Sequence, residues 1–418
     1  MLDALSIALS ALTANGTALE TSGQNLANLN TNGYKASTSS FQEMVATNIG
    51  APDGDPVPGG VSGPIVRRSY TQGPIQVTNG PLDAAIQGDG FFTLKDTSGQ
   101  TLLTRDGSFQ LDTNGYLTTI TGARVQGWMA VGGTVSASGI PTDIQLPAVT
   151  LKPATASTTL SISANLNASA ALNSSDSVFS VPVEVVDSLG AKHVLTVKFT
   201  KTAANAWSYE VFAPGEDLTS GTAGTPVSLT KGDLTFSDTG ALKSPDATAG
   251  AVALKMSGLA DGATDLSLTW NLYSPTGAPL LTQFSQASGT SSIDVDGSTS
   301  GELTGVSLEA GGRLTARYSN GQNELIAVLA LASVRNPESL EAVSNNASRV
   351  TASTAPLVFG QANTGSRGDI IGGAIEGSGV DMARELTNII LYQRSYQANA
   401  RIVSSVDTLT QDVLNIMR

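Results

Sequence analysis

Residues 380–418 contain neither Gly nor Pro, and no other feature narrows the possible folds of this chain as much. Apolar side chains fall at Met382, Leu386, Ile389, Tyr396, Ala400 and Val403, a spacing of four and three that keeps one stripe on one side of a helix. Val406, Leu409, Val413, Leu414 and Met417 then widen the stripe. Asp381 is placed to cap the N-terminus, Glu385 sits in the positive first turn, and Arg418 lies at the negative end. A helix of this length with a continuous apolar stripe needs a partner along its whole length.

The matching pattern stands at the other end of the chain. Leu2, Leu5, Leu9, Leu12, Gly16, Leu19, Gly23 and Leu26 step by three and four without a slip. Between Met1 and Asn30 the only charges are Asp3 and Glu20, so this helix is expected to touch protein on more than one side. Gly16 and Gly23 each cost about 1 kcal/mol against Ala in a helix interior. Close backbone approach within an assembly would account for them, and a break near Asn15-Gly16 is the alternative. Isolated helices of this kind are marginal in water. Both termini are therefore expected to be disordered in the free subunit and to order on polymerisation.

Between the two helical segments the composition changes. The 44 glycines, with many Thr, Ser and Ala and only 5% aromatic residues, suit β-sheet bodies with frequent turns. Residues 36–78 carry Gly and Pro clusters around 51–64 and read as an extended linker. Asn79 to Asp83 and Ile86 to Phe92 lead into alternating strands, and Asn114-Gly115 marks a two-residue hairpin turn. From about Leu151 the sequence becomes richer in Ala, Ser and Thr, which marks a boundary. Beyond it, residues 181–186 and 194–199 alternate as strands across the turn Asp187-Ser188-Leu189-Gly190, with Trp207, Tyr209 and Val211 on one face. Residues 301–308, 312–317 and 325–332 supply three further strands joined through residues 318–322.

Several function classes are excluded or disfavoured. The net charge of −13 repels nucleic acid and anionic lipid alike. There is no cysteine, hence no disulfide, thiolate metal site or thiol nucleophile. The longest apolar run, 325–332, is far short of a membrane span. No basic residue precedes Lys35, so the basic region of a cleaved secretory signal is missing. Gly88-Asp89-Gly90 is half of a dinucleotide fingerprint and reads as a tight turn. Asp112 to Gly115 and Asp294 to Gly297 look like pieces of calcium loops without the closing Glu. His193, the only histidine, reads as a packed or solvated strand residue, not as a base or ligand. No catalytic, cofactor-binding or metal-ligating residues are therefore assigned.

Three motifs carry a resemblance. Asn25, Asn28, Thr31, Gly33, Tyr34 and Lys35 close the first helix; Thr104, Arg105, Gly107 and Phe109 form Thr-Arg-x-Gly-x-Phe; Gln393, Arg394, Tyr396, Asn399 and Arg401 lie in the last helix. Together they resemble the bacterial flagellar rod and hook proteins. Further similarity in 181–240, including His193, in Tyr318 to Gln322 and in Asn336 to Leu340 points to the hook branch. Where the family usually has Leu-Glu followed by Ser-Asn-Val-Asp, this chain has Ile375 for the Leu and Gly379 for the Asn.

The expected fold is mixed α and β and multidomain, with the terminal helices paired as a coiled-coil-like base and nested all-β middle and outer domains built by a discontinuous chain. The expected divisions are 1–30 with 376–418, 31–78 with 361–375, 79–152 with 289–360, and 153–288. The resemblance implies a helical homopolymer, a short curved tube that joins rod to filament as a flexible joint. It also implies distal rod protein, hook cap, hook–filament junction protein and the flagellar type III export apparatus as partners, and an extracellular location reached without signal cleavage. The polymer contacts are expected on the helical seams, at Leu2, Leu5, Leu9, Leu12, Leu19, Leu26, Leu386, Ile389, Tyr396, Val403, Val413 and Met417. The alternatives are a distal-rod or hook–filament junction protein of the same family and, from another class, a secreted β-sandwich glycan-binding protein or glycosidase.

Overall fold

A computed structural model describes residues 2–47, 56–146 and 151–416. One helix opens the chain, α1 (Leu2–Ala27), and one closes it, α2 (Met382–Ile416); most of what lies between is β-strand. Among the described residues no helix is long and apolar enough to cross a membrane. The chain divides into two compact units, the first formed by residues 1–148, 305–316 and 323–418, the second by 149–304 and 317–322.

In the first unit α1 runs without interruption through Gly16, so the alternative of a break there is set aside. The two helices pack against each other, with the last turn of α1 beside the first turn of α2. The packing differs from the leucine seam expected from the sequence. The side chains of α1 that are withdrawn from solvent are Ala8, Ala14, Ala18, Thr21, Ser22 and Asn25. They form a stripe of small residues, which lets backbones approach closely. Leu5, Leu12, Leu19 and Leu26 lie half-buried beside it, and Leu9 is 59% exposed. Among the described residues the leucine seam therefore does not close.

The β part of this unit draws on both halves of the chain. Its central sheet runs in the order Asn323–Leu329, Arg124–Met129, Phe91–Lys95, Thr101–Thr104, Ala347–Arg349 and Glu341–Ala342. The register sets Trp128 opposite Val328, Val125 opposite Leu94 and Phe92 opposite Thr104. Phe92, Leu94, Leu103, Leu117, Val125, Ile144 and Leu329 fill the core. The expected linker is more ordered than its composition implies. Ser37–Ser40 pairs with Ile65–Arg68, Glu43–Thr47 with Pro56–Val61, and Ile75–Val77 with Ala374–Glu376. Part of its Gly/Pro cluster lies outside the described residues. The turn at Asn114-Gly115 is also wider than a two-residue hairpin: Asp112 N donates to Tyr116 O, and the Asp112 carboxylate accepts from the amides of Asn114 and Tyr116.

The second unit holds two five-stranded sheets around one core. An antiparallel meander contains Val178–Val186, Lys192–Ala203, Ala206–Ala213, Val227–Phe236 and Leu242–Ser244. The other sheet contains Ala251–Met256, Leu266–Asn271, Thr159–Asn167, Leu281–Phe284 and Gly289–Val295. Strict alternation along Lys192–Ala203 sends Leu195, Val197 and Phe199 inward, where they meet Trp207 and Trp270. The Trp207 indole N–H is satisfied by the Gln283 side chain at 2.9 Å. Gly289–Val295 pairs with Thr159–Asn167, so residue 289, expected to begin the return of the middle domain, belongs to this unit. Period-two alternation cannot say which of two sheets a strand joins.

Candidate assembly site

The first two motif groups converge where α1 ends. Asn25, 1% exposed, has all four of its side-chain hydrogen-bonding positions engaged. Its Oδ1 accepts from Tyr34 Oη at 3.2 Å and Ser37 N at 2.9 Å, and its Nδ2 donates to Ser37 O at 2.7 Å and to Glu385 Oε1 at 3.1 Å. Burial pushes the Tyr34 phenol above its ordinary range, so it stays a donor. Asn28 accepts from Thr31 Oγ1 and ties the turn that follows. Gly33 has φ +66°, and a Cβ there would lie 2.6 Å from Asp106 N. Only glycine fits, because the exit of α1 presses directly on the Thr-Arg-x-Gly-x-Phe segment.

Beneath that turn lies a buried ionic node. Lys35 Nζ donates to Glu376 Oε1 at 2.6 Å and to Thr71 O at 2.7 Å. Arg105 Nη1 lies 3.3 Å from Glu376 Oε2, and its Nη2 donates to Gly88 O at 2.9 Å. Gly73 N also donates to Glu376 Oε1, at 2.8 Å. Burial pulls the Lys35 ammonium below its usual range, and the Glu376 carboxylate works against that pull. Arg105 additionally sits over the Phe91 ring, 5.3 Å from its centroid. Two cations thus share one carboxylate in a place that water barely reaches. Gly107 completes the packing, since a Cβ on it would lie 1.6 Å from Ala84 O. Phe109 meets Phe92 edge-on at 5.1 Å, and Thr104 Oγ1 donates to Asn346 O.

The node joins residues 33–35, 71–73, 105 and 376, segments scattered over the whole chain. Its charged groups bond to one another and to backbone, apart from Arg105 Nε, which is buried without a hydrogen-bond partner among the described residues. What such an arrangement can do is hold, fixing the root of both helices on the β part of the unit.

The third motif group is elsewhere. Asp381 caps α2 as expected, its Oδ1 accepting from Ala383 N and Arg384 N at 3.0 and 3.2 Å. Beyond the first turn, Leu386, Ile390, Leu391, Tyr396, Ile402, Leu409 and Val413 are all at least 41% exposed. Ile389 and Val403 are half-buried. Gln393, Arg394 and Arg401 face solvent, and Asn399 bonds back to Ser395 O. Gly16 and Gly23 have open space where a Cβ would be. Leu2 belongs to α1, and Met417 lies outside the described residues. Among the described residues the stripe expected on α2 thus remains largely uncovered. Glu376 and Glu385 hold the motif residues together, and in the sequence Glu385 stands out only as a first-turn acid of α2. The one signal for Glu376 was its place in a family motif, since a pair 341 residues apart has no periodicity to reveal it.

Comparison with known proteins bears on the whole chain. Residues 5–35 match the flagella basal body rod protein family, 85–165 the D1 domain of flagellar hook protein FlgE/F/G, 172–298 the D2 domain of flagellar basal body protein FlaE, and 371–416 the C-terminal region of flagellar basal body rod FlgEFG proteins. The flagellar hook protein FlgE of Salmonella typhimurium is 32% identical over 98% of each chain. That of Escherichia coli is 32% identical over 99% of this chain and all of its own, and that of Rhizobium meliloti 32% over 98% of each. Among solved structures, Helicobacter pylori flagellar hook protein FlgE2 superposes with a TM-score of 0.54, covering 71% of this chain and 99% of its own, at 15% identity.

Proposed function

The chain belongs to the flagellar hook protein family, and from that membership we propose that this structural subunit of the flagellar hook polymerises through the uncovered faces of α1 and α2 into a curved, hollow tube. The observation that carries the reading is the row of apolar residues along α2, from Leu386 to Val413, that the described residues of the subunit leave 41–60% exposed. Burying a side chain such as Leu or Ile yields about 1.5–3 kcal/mol. A row of half-exposed ones, repeated in every copy, supports a stable lattice.

In the reading proposed, the helices line the channel and hold the tube permanently. The β-rich units lie outside and make shallower contacts that slide as the hook bends and transmits torque. The distal rod protein, hook cap and hook–filament junction protein are its neighbours, and the type III apparatus exports it uncleaved to the cell exterior. No catalytic step is part of this function.

Electron microscopy of the concentrated protein tests the reading. The intact chain should form curved tubes, and a chain lacking its last twenty or so residues should form none. A chain lacking residues 153–288 should still form tubes, of altered curvature or stiffness. Normal tubes from the C-terminal truncation would overturn the proposal.

A further inference from the structure

The second unit carries a buried cluster of titratable side chains. His193, at the start of Lys192–Ala203, is 5% exposed. Its Nε2 lies 3.1 Å from Asp187 Oδ2 and 4.0 Å from Asp261 Oδ2, and its Nδ1 lies 3.0 Å from Asp217 Oδ2. The three acids come from separate places: Asp187 from the turn before His193, Asp217 from the short turn Gly215–Asp217, and Asp261 from the loop between Ala251–Met256 and Leu266–Asn271. The other oxygens are already committed. Asp187 Oδ1 accepts from Leu189 N and Ala191 N at 2.8 and 2.9 Å, and Asp261 Oδ1 accepts from Ala263 N at 3.0 Å. Both Oδ2 atoms are therefore left for the imidazole.

With a neutral imidazole this arrangement lacks a cation, which either a second ring proton or a metal ion would supply. A neutral imidazole has one N–H, yet carboxylates stand at both of its nitrogens. If the proton is on Nδ1, facing Asp217, then Nε2 presents a lone pair to two carboxylates with no donor among the three. Asp187 is wholly buried, so water does not relieve the conflict. Nor is Nδ1 settled: although 3.0 Å from Asp217, it is buried and out of line for a hydrogen bond. A ring nitrogen and two carboxylate oxygens, all within 4.8 Å of one another, have the donor types and spacing that a metal dication draws together.

We propose that His193 Nε2, Asp187 Oδ2 and Asp261 Oδ2 bind a transition-metal dication of the zinc or manganese class. The mixed imidazole and carboxylate set suits these ions better than Mg2+ or Ca2+, which favour all-oxygen shells. Asp261 is partly exposed, which gives the ion an entry path and leaves a coordination position for water. The ion would clip the loop at Asp261 to the turn at Asp187, joining connections that belong to different sheets. This departs from the sequence reading, in which His193 is only a packed strand residue.

The test uses the full chain, freed of metal by chelation, in thermal melts and calorimetric titrations with Zn2+ and Mn2+, and with Mg2+ and Ca2+ for comparison. The expected result is one site per chain and a melting temperature raised by Zn2+ or Mn2+. Affinity should fall about tenfold or more in Asp261→Asn and in His193→Asn, each measured against its own metal-free melt. Asp265→Asn, in the same loop but paired with Lys255, should bind like the native chain. Because His193 is buried and its replacement can disturb folding, the partly exposed Asp261 carries the decision. Equal affinity in Asp261→Asn and the native chain overturns the proposal. So does a chain that ignores all four ions, including the case in which acidification alone stabilises it and a proton fills the place assigned to the metal.

Discussion

Lys35 and Glu376, 341 residues apart in the chain, meet at 2.6 Å with side chains 5% and 0% exposed. One belongs to the exit of the first helix and the other to the entry of the last, so this contact ties the end of α1 to the start of α2. A buried carboxylate shared by two cations is costly to remove, because each cation is left without a counter-charge. Glu376→Gln keeps the shape and removes the charge. It should cost about 3–5 kcal/mol of stability in denaturant unfolding. Adding Lys35→Met should recover part of that loss, whereas strictly additive effects in the double variant would mean that the pair is not coupled.

The glycines separate folding from assembly. Gly107→Ala would push a methyl group to within 1.6 Å of Ala84 O and should cost about 3 kcal/mol or more. Gly16→Ala meets open space within the subunit and should stabilise α1 by about 1 kcal/mol. If a neighbouring copy approaches there, the same change should slow polymerisation. Faster assembly of a more helical Gly16→Ala subunit would show that the position is not kept for close approach.

On α2, Leu386 and Tyr396 are 44% and 46% exposed. Leu386→Ser and Tyr396→Ser should each leave the melting of the dilute subunit within about 0.5 kcal/mol of native. In sedimentation at rising protein concentration, each should raise the threshold for polymer by about tenfold, equivalent to about 1.4 kcal/mol per contact. An unchanged threshold would remove these side chains from the interface.

Burial raises the carboxyl pKa of Asp106, with the neighbouring Asp83 adding to the effect, although Ser108 N donates to its Oδ1. The folded state therefore binds this proton more tightly than the unfolded state does. The cost of ionising it is present in full above the raised pKa and is relieved as pH falls toward the ordinary carboxylate range. Asp106→Asn should be more stable than the native chain near pH 7, and the difference should shrink on acidification toward pH 4. A difference independent of pH would mean that the charge is not its cause.

Much of the architecture is legible in the residues themselves. Alternation in residues 194–199 and the turn at Asp187 to Gly190 mark two strands, and Asp381 marks the start of α2, because these signals are local. The inward face of α1 was not legible. Its leucines repeat perfectly, yet Ala8, Ala14 and Ala18 are the residues covered, since periodicity reports that a stripe is apolar and not what lies against it. The motif residues around Gly33 and Arg105 were found as patterns, but their meeting through Glu376 and Glu385 depends on tertiary closure over hundreds of residues. His193 is packed on its strand as expected, and its approach to Asp217 and Asp261 was not legible because both arrive from distant loops.

The small-residue stripe on α1 has a consequence for timing. The side chains that fasten this helix inside its own molecule are not those left for other molecules, so a finished subunit is not thereby committed to growth. Two copies meeting at random each offer only part of a surface, whereas an existing end presents several at once. Elongation from a seed should then outrun spontaneous initiation, and free protein can remain dissolved until it reaches a tip.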